Sequence, residues 1–139
     1  MTRIEFYFNV TDKPALTIKL VQAAVAKRKL VTVSATDEAA AQQLSALLWQ
    51  ADAASFVPNL LANEALAAQT PVVLHWQNQA ILQDELLINV SENQPSFFSQ
   101  FTELIEIVGT NEQDKAAART RYKFYRDRGY EIKNTDQAK

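Results

Sequence analysis

Twice in its first half the chain passes from a β-rich run directly into a capped helix, and few folds accommodate that order. Ile4-Glu5-Phe6-Tyr7-Phe8-Asn9-Val10 is β-rich and nearly alternating, and reads as a strand. Thr11-Asp12-Lys13-Pro14 follows, a capping oxygen with proline in the first helical turn, where a missing N–H does no harm. Ile18, Val21 and Val25 recur at three and four to give one apolar face, and Lys27-Arg28-Lys29 places positive charge where the helix macrodipole favours it. Leu30 to Ala35 is a second strand and Thr36-Asp37 a second cap. Ala40, Leu44, Leu47 and Leu48 then form a second apolar stripe that ends near Trp49. Strand, helix, strand, helix with connections this short predicts an α/β fold, a parallel sheet covered by helices.

The rest of the chain carries fewer such signals. Ala54 to Asn59 is irregular and holds Phe56 and Val57 before Pro58, which cannot donate to a sheet ladder, so the run belongs to an edge or a loop. Pro71 to Trp76 and Glu85 to Val90 are two further strands. Residues 77–84 between them are too few for a helical crossover and suggest a hairpin. Pro95 to Phe101 opens a short helix; Leu104 to Val108 is either its continuation or a strand closed by Gly109. Asn111 to about Arg128 is a helix rich in Ala, Lys and Arg that stops at Gly129, and residues 131–139 are expected to be a flexible tail. No repeat or linker is apparent, so residues 1–139 read as one domain.

Several chemistries are excluded by what is scarce. Gly109 and Gly129 are the two glycines, so neither a dinucleotide fingerprint nor a P-loop exists, and no nucleotide-binding loop is expected on this sheet. There is no cysteine and one histidine, His75, which rules out thiolate catalysis and any cysteine or multi-histidine metal site. Nothing calls for a cofactor or a metal. His75 has no nucleophile placed beside it by sequence and reads as structural or surface-exposed; Glu103 and Glu106 read as a solvated sheet edge rather than a catalytic pair. An enzyme is therefore not expected. The opening run Arg3 to Phe8 has no signal-peptide character and no apolar run reaches about 18 residues, so a cytoplasmic protein is expected.

The formal net charge of −2 conceals a strong asymmetry. Residues 115–128 hold Lys115, Arg119, Arg121, Lys123, Arg126 and Arg128 against Asp127, six cations to one anion, or +5; the remainder of the chain then carries −7. Lys115, Arg119, Tyr122 and Arg126 are spaced i, i+4, i+7, i+11 and share one helical face, with Arg121, Tyr125 and Arg128 on the neighbouring stripe and the alanines and Phe124 available to pack inward. Three readings of this ridge stay open on composition: a solvated surface, a direct nucleic-acid contact, and a clamp for an acidic peptide with an apolar anchor. The acidic remainder weighs against nucleic acid.

The run Lys115-Ala-Ala-Ala-Arg119-Thr-Arg121-Tyr122-Lys123-Phe124-Tyr125-Arg126, followed by Gly129 and an aromatic, resembles the C-terminal helix of the chi subunit of bacterial DNA polymerase III. The Phe6-Tyr7 strand, Ala46-Leu47-Leu48-Trp49, and Ser55-Phe56-Val57-Pro58-Asn59 match the same family in the same order. The resemblance implies a Rossmann-like three-layer fold, mostly parallel sheet with helices on both faces, and a non-catalytic adaptor of the clamp loader. It implies two partners: the psi subunit, and the acidic C-terminal tail of single-stranded DNA-binding protein, which ends in a Phe with a free carboxylate. By position, Lys115, Arg119, Tyr122, Trp49 and Val108 match the family's tail-binding residues; Arg121 is added from the charge pattern alone. Phe56, Val57 and Pro58 are assigned to the psi-facing surface, which the family also associates with a repair helicase.

Overall fold

The structure is a computed structural model, and it describes residues 1–50, 58–77 and 79–138. Seven strands alternate with three long helices in the order β1 (Arg3–Val10), α1 (Lys13–Ala26), β2 (Val31–Ser34), α2 (Glu38–Gln50), β3 (Asn59–Leu61), β4 (Val72–His75), β5 (Leu86–Asn89), β6 (Glu103–Gly109), α3 (Glu112–Asp127) and β7 (Ile132–Asp136). The strands form one sheet in the order β3-β4-β2-β5-β6-β1-β7, and every pairing is parallel. Among the described residues no helix is long and apolar enough to cross a membrane.

The helix starts follow from their caps. Asp12 accepts from the Ala15 N–H with Pro14 in the first turn of α1, and Asn111 accepts from the Asp114 N–H at the head of α3. Gly129 ends α3 with φ 84°, backbone that a side chain would strain. Period two along the strands divides the core. On β1 and β6, Ile4, Phe6, Leu104 and Val108 face a cluster with Ala118 and Tyr125 of α3. Ile107 faces the other cluster, which holds Val21 of α1 and Leu44 and Leu48 of α2, and Val10 joins it because the β1 register shifts after Tyr7. Thus α1 and α2 cover one face and α3 the other, the three-layer Rossmann-like arrangement.

Three expectations are corrected. The strands at 72–75 and 86–89 are not a hairpin: β2 lies between β4 and β5, paired in parallel with each. The intervening segment runs back along the sheet to the start of β5 with no helix among its described residues, anchored by Gln83, which accepts from Thr32 Oγ1 and donates to the Thr70 carbonyl. Residues 131–139 do not form a flexible tail over their length. Ile132 to Asp136 pair with Ile4 to Phe8 as an edge strand, locked at either end by Ile4 N–H to the Glu131 carbonyl at 3.3 Å and Gln137 N–H to the Phe8 carbonyl at 2.9 Å. The expected helix at 95–101 is a single 3-10 turn, Phe98 to Gln100, and Leu104 to Val108 belong to a strand.

Candidate functional site

Helix α3 is buried along Asp114, Ala118, Arg121 and Tyr125, spaced i, i+4, i+7, i+11. The buried stripe is one residue away from the face holding Lys115, Arg119, Tyr122 and Arg126, which is a rotation of about 100°. That offset separates cations that look equivalent in sequence. Arg121 is only 2% exposed and is not part of the surface ridge, which corrects its assignment as a tail-binding residue. Its Nε donates to Glu106 Oε1 at 3.2 Å and its Nη1 to the Glu92 carbonyl at 2.6 Å.

Glu106 is the hub of this arrangement and is fully buried, so it is not at a solvated edge. Its Oε1 also accepts from Asn89 Nδ2 at 2.8 Å, and its Oε2 from the Tyr125 hydroxyl at 2.7 Å. Burial pushes the Glu106 carboxyl above the usual carboxylate range, opposed by the Arg121 charge and the Tyr125, Asn89 and Arg121 hydrogen bonds. Burial, then the Glu106 charge, drives the Tyr125 phenol well above its ordinary value, so it stays protonated as a donor. Asp114 fixes the head of α3: its carboxylate accepts from the Gly109 N–H and from Lys13 Nζ at 3.1 Å. A Cβ at Gly109 would stand 3.0 Å from that carboxylate, so a side chain there would push Asp114 away.

With the helix set in this way, its outer face overlooks two adjoining hollows at the β1–β7 edge. One, of about 410 Å³, is lined by Phe8, Asn9, Val108, Lys115, Arg119, Asn134 and Asp136. The other, of about 460 Å³, shares Phe8, Arg119 and Asn134 and adds Tyr122 and Arg126. Val108 is buried and supplies apolar floor; Phe8 stacks on Phe6 at 5.5 Å, and Tyr122 tilts against Phe6 at 5.3 Å. Tyr122 accepts from Asn134 Nδ2 at 3.4 Å, and Asn9 donates to Asp136 at 3.0 Å. Asn9 reaches the rim because the β1 register shifts between Tyr7 and Val10, where Asn9 adopts φ 58°. Among the described residues neither Lys115 nor Arg119 has an ion-pair partner, whereas Lys13 and Arg121 do.

Four of the sequence-derived residues, Val108, Lys115, Arg119 and Tyr122, therefore meet at one surface. Trp49 does not join them. It is 47% exposed at the end of α2, a helix packed on β3 and β4 across the opposite face and at the far edge of the sheet. Of the residues assigned to the psi-facing surface, Pro58 is exposed just before β3, and Phe56 and Val57 lie outside the described residues. Phe8, Asn9, Asn134 and Asp136 were missed. The last two fall where a tail was expected, and Asn9 owes its place to a strand irregularity with no sequence signal beyond an asparagine's tolerance of positive φ. His75 is buried, with Nε2 3.0 Å from the Gln79 carbonyl, and burial lowers its pKa.

The fold recurs in the C-terminal domain of the DEAD-box protein Dbp5, with a TM-score of 0.67 over 99% of this chain and 92% of that one at 8% identity, a likeness of fold alone. Sequence relatives are far nearer. The DNA polymerase III subunit chi of Haemophilus influenzae is 32% identical over 138 residues, covering 95% of this chain and 96% of the relative. That of Pseudomonas aeruginosa is 30% identical over 96% of each, and that of Escherichia coli K12 is 34% identical over 75% of this chain and 71% of its own. The family model described as DNA polymerase III chi subunit, HolC, matches residues 1–133, and with these relatives it shows that the chain belongs to the chi subunit family of DNA polymerase III.

Proposed function

We propose that this chain is a non-catalytic replication adaptor that holds the acidic C-terminal tail of single-stranded DNA-binding protein on the outer face of α3 and joins it, through the psi subunit, to the clamp loader. The observation that carries this reading is the pair of cations, Lys115 and Arg119, with no ion-pair partner among the described residues, beside the apolar surface of Val108, Phe8 and Tyr122. A tail ending in Phe needs both parts. Its ring takes the hollow between Tyr122 and Val108, and its carboxylates pair with Arg119, whose planar fork donates two bonds to a carboxylate. Each such charge-assisted bond is worth about 1.5–3 kcal/mol where water is kept away. Arg121 and Trp49 have no part in this contact. The same reading assigns psi to the β3 side, with a repair helicase as the competing partner; the exposure of Pro58 supports it.

A fluorescent peptide with an acidic run and a terminal Phe tests the tail contact. Binding is expected to weaken by about tenfold or more in Arg119→Ala, equivalent to roughly 1.4 kcal/mol, and on removal of the final Phe. Binding to single-stranded DNA that equals peptide binding and is equally damaged by Arg119→Ala would replace this reading with a direct nucleic-acid contact. A pull-down with psi, compared between the parent and Pro58→Glu, tests the second contact; an unchanged yield places psi elsewhere.

A further inference from the structure

We infer that the cleft at the carboxyl ends of β2, β4 and β5 binds an uncharged, planar, hydrogen-bonding ring, a nucleobase. This site is separate from the peptide surface on α3. Chains leaving β2 and β5, which are hydrogen-bonded neighbours, go to opposite faces: β2 leads into α2 among the cluster around Leu44 and Leu48, and β5 leads to Phe98 and Phe101 in the cluster around Tyr125. Diverging connections of this kind open a crevice beyond the strand ends, where open α/β sheets hold ligands. The cavity here is about 450 Å³, within the usual range of small-molecule sites.

Its chemistry narrows the ligand. In a protein with 22% charged residues, the described walls hold no Asp, Glu, Lys or Arg. A phosphate or carboxylate would find no counter-charge, and no glycine loop offers backbone N–H groups in its place. What the walls offer is neutral: Ser34, Ser91 and Asn93 for hydrogen bonds, and Ile81, Pro95 and Phe97 as apolar surface. His75 is a further uncharged wall residue, its ring held by Gln79. The Gln79 carbonyl can only accept, so Nε2 carries the proton and Nδ1 keeps its lone pair. Nδ1 is buried with no partner in the described residues, and the Phe97 ring lies edge-on to the imidazole with centroids 4.9 Å apart. A flat ring that stacks on Phe97 and bonds to Ser34, Ser91 or Asn93 fits these walls; a sugar lacks the flat apolar face, and an anion would meet no counter-charge among them.

The base can come from a free nucleoside or from single-stranded DNA, and two titrations distinguish the sources. The four deoxynucleosides and a mixed-sequence single-stranded oligonucleotide are each added to isotopically labelled full-length protein, and amide shifts are followed. At least one deoxynucleoside is expected to give saturable shifts at Ser34, Ser91 and Phe97, weakened about tenfold in Phe97→Leu, with acidic-peptide binding retained. If the oligonucleotide moves the same amides and competes with the nucleoside, the base belongs to the DNA strand; if it does not, the ligand is free. Absence of saturable shifts with every nucleoside and the oligonucleotide would overturn the assignment. So would shifts confined to α3, or binding indifferent to Phe97→Leu.

Discussion

Arg119 and Arg121 are two positions apart on one helix, yet they have different roles. Arg121 is enclosed against Glu106, and deleting one partner of a buried pair strands the other's charge, which is destabilising by about 3–5 kcal/mol. Arg121→Ala should therefore lower the urea midpoint by that equivalent. Arg119→Ala should move stability by no more than about 0.5 kcal/mol, as surface changes do, while removing tail affinity. Equal denaturation curves for the two variants would refute the division. Only the register of the buried stripe tells the two arginines apart, and that register depends on Glu106, a residue on another strand that no spacing rule connects to α3. His75 offers a pH-dependent counterpart. Burial lowers its folded pKa below the ordinary 6.5, so below that pH the unfolded chain binds more protons than the folded one. Its contribution is thus present above about pH 6.5 and is lost as pH falls through the lowered folded value. Because it is the single histidine, its ring signals in NMR should show a midpoint under 6.5, and a His75→Gln variant should lose less stability on acidification than the parent.

At the scale of elements, the N-terminal half was readable and the C-terminal strand was not, for physical reasons. The boundaries of β1, α1 and β2 follow from local features: the Asp12 cap with Pro14, the apolar stripe, and strands buried enough to need bulky side chains. Residues 132–136, Ile-Lys-Asn-Thr-Asp, are mostly polar because an edge strand buries little, and their order comes from backbone pairing with β1, which leaves no trace in composition. Likewise, the segment between β4 and β5 was too short for a helix, yet it passes β2 with no helix among its described residues. If β7 is an ordered wall of the peptide site, its amides should exchange with solvent much more slowly than those of a frayed end. Truncation after Tyr130 should then weaken tail binding by removing Asn134 and freeing Tyr122. Exchange at the fully exposed rate across 132–136, with binding unaffected by truncation, would return the segment to the status of a tail.

For the whole molecule, the decisive quantity is the distribution of charge rather than its sum. The +5 carried by residues 115–128 attracts an acidic chain at contact distance, while the −7 on the remainder repels it from every other direction. Both forces weaken with ionic strength, since the screening length falls from about 10 Å at 0.1 M salt to about 3 Å at 1 M. In the parent protein the close attraction dominates, so tail affinity should fall steadily as salt is raised. Replacing Lys115 and Arg119 with glutamine removes the contact charges and leaves the acidic body in place. What binding survives, through the terminal Phe and the apolar floor, then faces net repulsion that salt relieves. The double variant should accordingly show a flattened or reversed salt slope, measured by peptide anisotropy across a range of about 0.05–0.5 M. A slope as steep as the parent's would mean that other cations hold the tail, and that the surface formed by Val108, Lys115, Arg119 and Tyr122 is not where it binds.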